Sequence, residues 1–284
     1  TFRQWQREPL TADVVRVIRA YRPHVVIAVW SGTRADGHGH HEASGILARD
    51  AFEAAGDTVR FPVAVHGRAG ARCAVRRIYC VGRNYVEHAK EMGFTGREPP
   101  FFFMKPADAV LPVAEGMVGR MHYPSLTKDL HHEVELVVAI GQGGRNITAA
   151  DAMKHVWGYA VGLDMTRRDL QGEAKKQGRP WCIGKGFDES APIGPIRPAA
   201  QCQVGPDTAI VLDVNGAKCQ ASTIGKLIWS IPEIIEHVSA AWTLAPGDLI
   251  FTGTPEGVAA VVAGDTLSAR IDGVGTLQVQ VVQG

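Results

Sequence analysis

The sequence predicts an α+β chain, on three observations. Its 284 residues include 32 glycines and 16 prolines, which implies many turns and short connections. From about residue 62 onward, short apolar runs stand between those turns and read as strands. Before that point the pattern is helix, strand, helix.

Taken in order, a helix at 11–21 leads to a strand at 24–30 (HVVIAVW). The loop SGTRADGHGHH and a second helix at 42–55 complete a small N-terminal α/β segment, 1–61. The main domain, 62–284, begins just ahead of a hairpin turn flanked by Gly67 and Gly70. Its strands are expected at 62–66, 74–81, 101–104, 133–140, 156–164, 209–214, 248–251, 265–271 and 275–282. Helices are expected near 84–92, 167–177 and 232–241. No repeat or low-complexity tract interrupts them.

Composition removes several function classes. Lys+Arg 30 against Asp+Glu 29 gives a net charge of +1, so no global field points to nucleic acid or an anionic membrane. No apolar run approaches the roughly 20 residues that span a bilayer, and the start shows no signal-peptide pattern. The chain begins at Thr1 rather than Met, which leaves room for an upstream part. Cys73, Cys80, Cys182, Cys202 and Cys219 are odd in number and scattered. They read as reduced, mostly buried thiols of a cytoplasmic protein.

The stretch LHHEVELVVAIG, 130–141, carries the strongest local signal. Val134, Leu136, Val138 and Ile140 alternate with Glu133, Glu135, Val137 and Ala139, so both glutamates face one way, about 6–7 Å apart at the backbone. Paired carboxylates near a core resist desolvation and repel each other. A shared proton, basic partners or a divalent cation would relieve that. So would a solvated strand end. A third acid, Asp164, follows the apolar run 156–163 and precedes MTRRDLQ, which reads as the start of a helix. It could join an oxygen-ligand set for a hard cation or merely cap that helix.

His38, His40 and His41 precede the helix at 42–55, and H-x-x-H can bring two imidazoles to one metal. This segment resembles the C-terminal part of zinc-dependent N-acetylglucosamine-type deacetylases. The Ala-His-Pro-Asp-Asp-Glu motif that supplies their other ligands is absent, so a remnant or fusion junction is the expectation rather than a working deacetylase.

The rest of the chain carries a second and longer resemblance. TKDLHHEVELVVAIG, then GYAVGLDMTRRDLQGEAKKQGRPWCIGKGFDESAPIGP, is similar to the fumarylacetoacetate hydrolase family, and within it to the acylpyruvate branch, that of fumarylpyruvate hydrolysis. RRIYCVGRNYVEHAKEMG (76–93), PPFFFMKPADAV (99–110), LIWSIPEIIEHVS (227–239) and LAPGDLIFTGTPEGV (244–258) extend it in order, over about 62–284.

The resemblance implies a mixed β-sandwich or roll, a homodimer, and an Mg²⁺ or Mn²⁺ ion held by Glu133, Glu135 and Asp164. It implies a small diketo acid as substrate and a place in aromatic catabolism by the gentisate route. His88 and Glu91, three apart on a short helix, would be a base dyad on a lid, with the carboxylate orienting the imidazole. Lys185 would stabilise an oxyanion or enolate. Arg168 and Gln171 would hold the substrate, Arg168 by a bidentate carboxylate contact, while Arg167 is expected at the surface. In TGTPEGV, Gly253 and Thr254 would receive a substrate carboxylate on backbone N–H groups. Arg83 and Asn84 would support the lid or the site. Two rivals stay open: oxaloacetate decarboxylation or keto-acid tautomerisation on the same residues, and a catalytically silent binding protein.

Overall fold

A computed structural model describes residues 75–87 and 97–284. The first-segment expectations, the strand at 62–66, the 61/62 boundary, and His88 with Glu91 lie outside the described residues. Among those residues the strands are β1 Ile78–Gly82, β2 Phe101–Lys105, β3 Val110–Pro112, β4 Val118–His122, β5 Leu130–His131, β6 Val134–Ile140, β7 Val156–Leu163 and β8 Thr166–Arg167. They continue as β9 Ala191–Ile193, β10 Arg197–Pro198, β11 Ala209–Val214, β12 Ala217–Thr223, β13 Leu249–Phe251, β14 Ala260–Val261, β15 Thr266–Ile271 and β16 Gly275–Val282. The α-helices are Arg168–Lys176, Cys182–Lys185 and Ile231–Ala241. The described fold is thus mostly β-sheet with few helices.

An eight-stranded mixed sheet runs β2-β1-β13-β6-β7-β9-β3, with β10 also paired to β7. β6 lies at its centre, antiparallel to both β13 and β7. All seven residues of VELVVAI are buried, as expected of a strand covered on both faces. A five-stranded sheet, β12-β11-β15-β16-β4, packs β11, β15 and β16 on β6 and β7. β16 shows the alternation of a sheet with one wet face: Leu277, Val279 and Val281 are buried, whereas Gln278 and Gln280 are exposed. A three-stranded sheet, β14-β5-β8, ties the segment before β6 to the segment after β7.

The helix Ile231–Ala241 follows Ser230, whose backbone N–H (2.9 Å) and hydroxyl (2.6 Å) both donate to Glu233. This is half of a capping box, and Arg97 pairs with the same carboxylate. The Ser230 hydroxyl, then its N–H, and Arg97 outweigh burial and lower the pKa of Glu233. A carboxylate with a lowered folded-state pKa contributes stability that is present above its unfolded value and is lost as pH falls through the folded one. Glu233→Ala is therefore expected to cost about 1 kcal/mol near neutral pH. The gap to wild type should close as pH falls below 4.5, the ordinary glutamate value. Urea unfolding at a series of pH values measures it, and a pH-independent gap would contradict the capping account.

Three expectations are corrected. Among the described cysteines only Cys80 is buried; Cys202 and Cys219 are half-buried and Cys182 is exposed. The strand expected from 133 begins at Val134. The helix expected directly after Asp164 begins at Arg168, because Thr166–Arg167 first pairs as β8 with β5. Asp164 caps nothing: Arg167 is the N-cap, with no side-chain cap bond. No helix among the described residues is long and apolar enough to cross a membrane.

Candidate functional site

β6 and β7 are neighbours, and that pairing builds the acidic centre. Glu135 sits opposite Gly162, and the N–H of Asp164 donates to the Glu133 carbonyl at 2.8 Å. One carboxylate oxygen from each of Glu133, Glu135 and Asp164 lies within 4.8 Å of the others, and all three residues are buried. The remote sequence positions 133–135 and 164 are thereby one cluster of hard oxygen donors.

Cations face this cluster from three elements. Lys185 is 2% exposed, so it is no surface lysine. Its ammonium donates to Glu133 Oε2 at 2.8 Å, Asp164 Oδ2 at 2.7 Å and Thr166 Oγ1 at 2.7 Å. Burial alone would lower its pKa, but Asp164 and Glu133 outweigh that and hold it raised. The short helix Cys182–Lys185 can bring it there because residue 184 is glycine. A Cβ at that position would stand 2.9 Å from the backbone nitrogen of Gln171.

Lys105, at the end of β2, is the second buried ammonium. It lies 2.8 Å from Asp164 Oδ1, donates to the carbonyl of Met165 at 3.1 Å, and also donates to the carbonyl of Lys185. The Asp164 contact is ionic rather than an aligned hydrogen bond, since Oδ1 has no hydrogen-bond partner. Glu135 accepts from the backbone N–H of Gly253 at 2.7 Å. Burial, then the charges of Asp164 and Glu133, push its carboxyl well above the usual range. A buried carboxylate so destabilised, beside two others and an Asp164 oxygen without a hydrogen bond, suits a small divalent cation such as Mg²⁺ or Mn²⁺.

Arg168 pairs with Glu133, donates to Gln171 Oε1 at 2.6 Å and approaches His131 Nδ1 at 3.4 Å. Arg168 and Gln171 thus reach the site together, with the guanidinium bonded to a protein carboxylate. Arg167 is half-buried rather than free at the surface, 4.4 Å from the Phe187 ring centroid. Gly253 presents its N–H to Glu135. The Thr254 hydroxyl accepts from Gln220 Nε2 at 2.9 Å. Gln220 Oε1 in turn accepts from the N–H of Val134 at 3.1 Å and lies 3.0 Å from His132 Nδ1. Burial lowers the pKa of His132, and this buried network locks the loop 252–255 to the start of β6.

A cleft opens on these groups. Arg83, Thr254, Glu133, Glu135, Arg168 and Lys185 line its polar side. Its other wall is aromatic: Phe101, Phe103 and Trp181. These three and Lys105 were not singled out by sequence reasoning. In FFFMK the period of two sets Phe101, Phe103 and Lys105 on one strand face, but nothing in the run says what that face meets.

Phe101 lies across Gly82 of β1, its register partner. A Cβ at position 82 would stand 2.0 Å from the Phe101 ring. Gly82→Ala is expected to cost about 1–3 kcal/mol through overpacking and to tilt Phe101 out of the wall. A thermal melt with substrate-affinity measurement reads both effects, and an unchanged melt would contradict the packing.

The family profile "Fumarylacetoacetate (FAA) hydrolase C-terminal" matches residues 77–282. A solved fumarylpyruvate hydrolase of Pseudomonas aeruginosa, in complex with Mn²⁺ and pyruvate, is 55% identical. That likeness covers 78% of this chain and 95% of the other, with a TM-score of 0.75. The mitochondrial oxaloacetate tautomerase FAHD1 of Rattus norvegicus is 44% identical over 206 residues, 72% of this chain and 91% of the relative. The mitochondrial oxaloacetate decarboxylase of Dictyostelium discoideum is 40% identical over 201 residues, 71% of this chain and 91% of the relative. The deacetylase resemblance of residues 1–60 finds no support in these comparisons. With its profile matched over well more than half the sequence, the chain belongs to the fumarylacetoacetate hydrolase family, an enzyme family whose relatives here are hydrolases, tautomerases and decarboxylases.

Proposed function

We propose that the chain is a divalent-metal-dependent hydrolase of acylpyruvates, with fumarylpyruvate as the first substrate to test. The buried cluster of Glu133, Glu135 and Asp164, facing Lys185 at the base of an aromatic-walled cleft, carries this reading. Support comes also from the fumarylpyruvate hydrolase that is 55% identical. Glu133, Glu135 and Asp164 would hold Mg²⁺ or Mn²⁺. The ion, when bound, supplies Lewis-acid polarisation of the diketo head.

The chain's own residues do the rest. His88, oriented by Glu91, takes a proton from water as it adds to the acyl carbonyl. The bond between that carbon and the pyruvate methylene then breaks, and its electron pair stays with the pyruvate fragment as an enolate. A proton delivered to the methylene completes pyruvate, and the acyl part leaves as fumarate. Lys185 would donate to the developing oxyanion on exchanging one of its three acceptors, Glu133, Asp164 and Thr166. Arg168 and Gln171 orient the head.

A second reading is favoured by the relatives named for oxaloacetate. Decarboxylation leaves the same pyruvate enolate, tautomerisation passes through the enolate of oxaloacetate itself, and neither needs water addition. The test is kcat/KM for fumarylpyruvate cleavage against oxaloacetate tautomerisation and decarboxylation, on one Mn²⁺-loaded preparation. A preference of tenfold or more for fumarylpyruvate is expected. The reverse preference would replace the hydrolase reading by the second.

A further inference from the structure

The aromatic wall has a charged residue at each end. Along it, Arg83 stacks on Phe101 with its guanidinium carbon 4.8 Å from the ring centroid. Phe101 meets Trp181 edge-on at 5.4 Å, Trp181 meets Phe103 at 5.9 Å, and Lys185 Nζ lies 4.9 Å from the Phe103 centroid. Phe101 and Phe103 stand on one face of β2, about 6–7 Å apart. The wall therefore runs from the acidic centre at Lys185 to a second cation beyond the end of β1.

That second cation is held in place by uncommon means. Arg83 has φ +55, a left-handed conformation that non-glycine residues rarely adopt and that collects at functional sites. The next residue fixes it. Asn84 is fully buried; its Nδ2 donates to the carbonyls of Thr252 at 2.8 Å and Trp229 at 3.0 Å. Its Oδ1 accepts from the N–H of Trp229 at 2.8 Å. The backbone of residue 83 is thus tied to the same loop that carries Gly253 and Thr254.

Resting on the acylpyruvate reading, we infer that Arg83 and the Phe101–Trp181–Phe103 wall form the acyl-arm subsite, selecting a flat unsaturated chain that ends in a carboxylate. With the diketo head over Glu133, Glu135 and Asp164, the arm lies along the rings. A planar conjugated chain stacks there better than a puckered one, and its terminal carboxylate meets the Arg83 guanidinium, a fork suited to it. Arg83 is thereby a specificity residue for the far end of the substrate.

The test uses the full chain loaded with Mn²⁺. Fumarylpyruvate is compared with the same chain ending in methyl instead of carboxylate, on wild type, Arg83→Gln and Arg83→Lys. A charge-assisted bond of this kind is expected to make kcat/KM about 10- to 100-fold higher for the carboxylate-ended chain in wild type. The ratio should fall to about one in Arg83→Gln and recover in part in Arg83→Lys. Mn²⁺ affinity and the melting temperature of each variant are measured alongside. A ratio unchanged in Arg83→Gln, with Mn²⁺ affinity intact, overturns the inference. If wild type cleaves neither compound, the hydrolase reading is what fails, and calorimetric binding of the same pair decides the subsite. A binding gap that Arg83→Gln removes supports it; no gap, or a gap that persists, overturns it.

Discussion

Glu135→Ala is expected to lower turnover of the metal-loaded chain by about a thousand-fold, the scale of several kcal/mol of transition-state charge stabilisation. Glu135 is 2% exposed, and among the described residues it belongs to the only cluster suited to a cation. A stability signature separates this loss from simple damage. Burial beside Asp164 and Glu133 raises its pKa well above the ordinary value. A carboxyl raised in the folded state binds more protons there than in the unfolded one, so stability declines as pH rises from the unfolded pKa through the folded one. Glu135→Gln keeps an acceptor for the Gly253 N–H but removes that charge. Without metal it should therefore melt no lower than wild type above neutral pH, with the two converging in acid. Mn²⁺ should raise the melting temperature of wild type far more than that of either variant. Equal stabilisation of all three by Mn²⁺ would remove Glu135 from the ligand set.

Lys105→Met should unfold the centre from behind. The ammonium is buried and serves Asp164 and the carbonyls of Met165 and Lys185. Methionine fills similar space but leaves those acceptors without their donor, and removing one partner of a buried ion pair costs about 3–5 kcal/mol. Because Lys105 also positions Asp164, Mn²⁺ affinity should drop about 10- to 100-fold, as for other outer-shell partners of a metal ligand. Denaturant unfolding and metal titration measure the two effects. A variant within about 1 kcal/mol of wild type, with unaltered Mn²⁺ affinity, would reduce Lys105 to packing.

Much of this centre was legible in the sequence because its residues sit on strongly patterned strands. Glu133 and Glu135 stand out against the apolar run of β6, and Asp164 ends the buried run of β7. The pairing of β6 with β7 then brings three acids together. Lys105 was hidden for the opposite reason. In FFFMKP it reads as the polar end of an edge strand, and only the tertiary fold shows that its ammonium points inward to Asp164. The aromatic wall depends on Gly82 and on Trp181 arriving from a distant loop, so no local pattern displays it. The short pairs β5–β8 and β14–β5 were missed because two-residue strands carry no period to detect. That omission started the helix after Asp164 too early.

The most direct measurement is pyruvate release from fumarylpyruvate by the purified chain: as loaded with Mn²⁺, after chelation, and after Mn²⁺ is restored. The account predicts release that chelation abolishes and added Mn²⁺ returns, with Glu135→Ala silent throughout. Release that persists after chelation, or none from a chain shown to bind Mn²⁺, would contradict it.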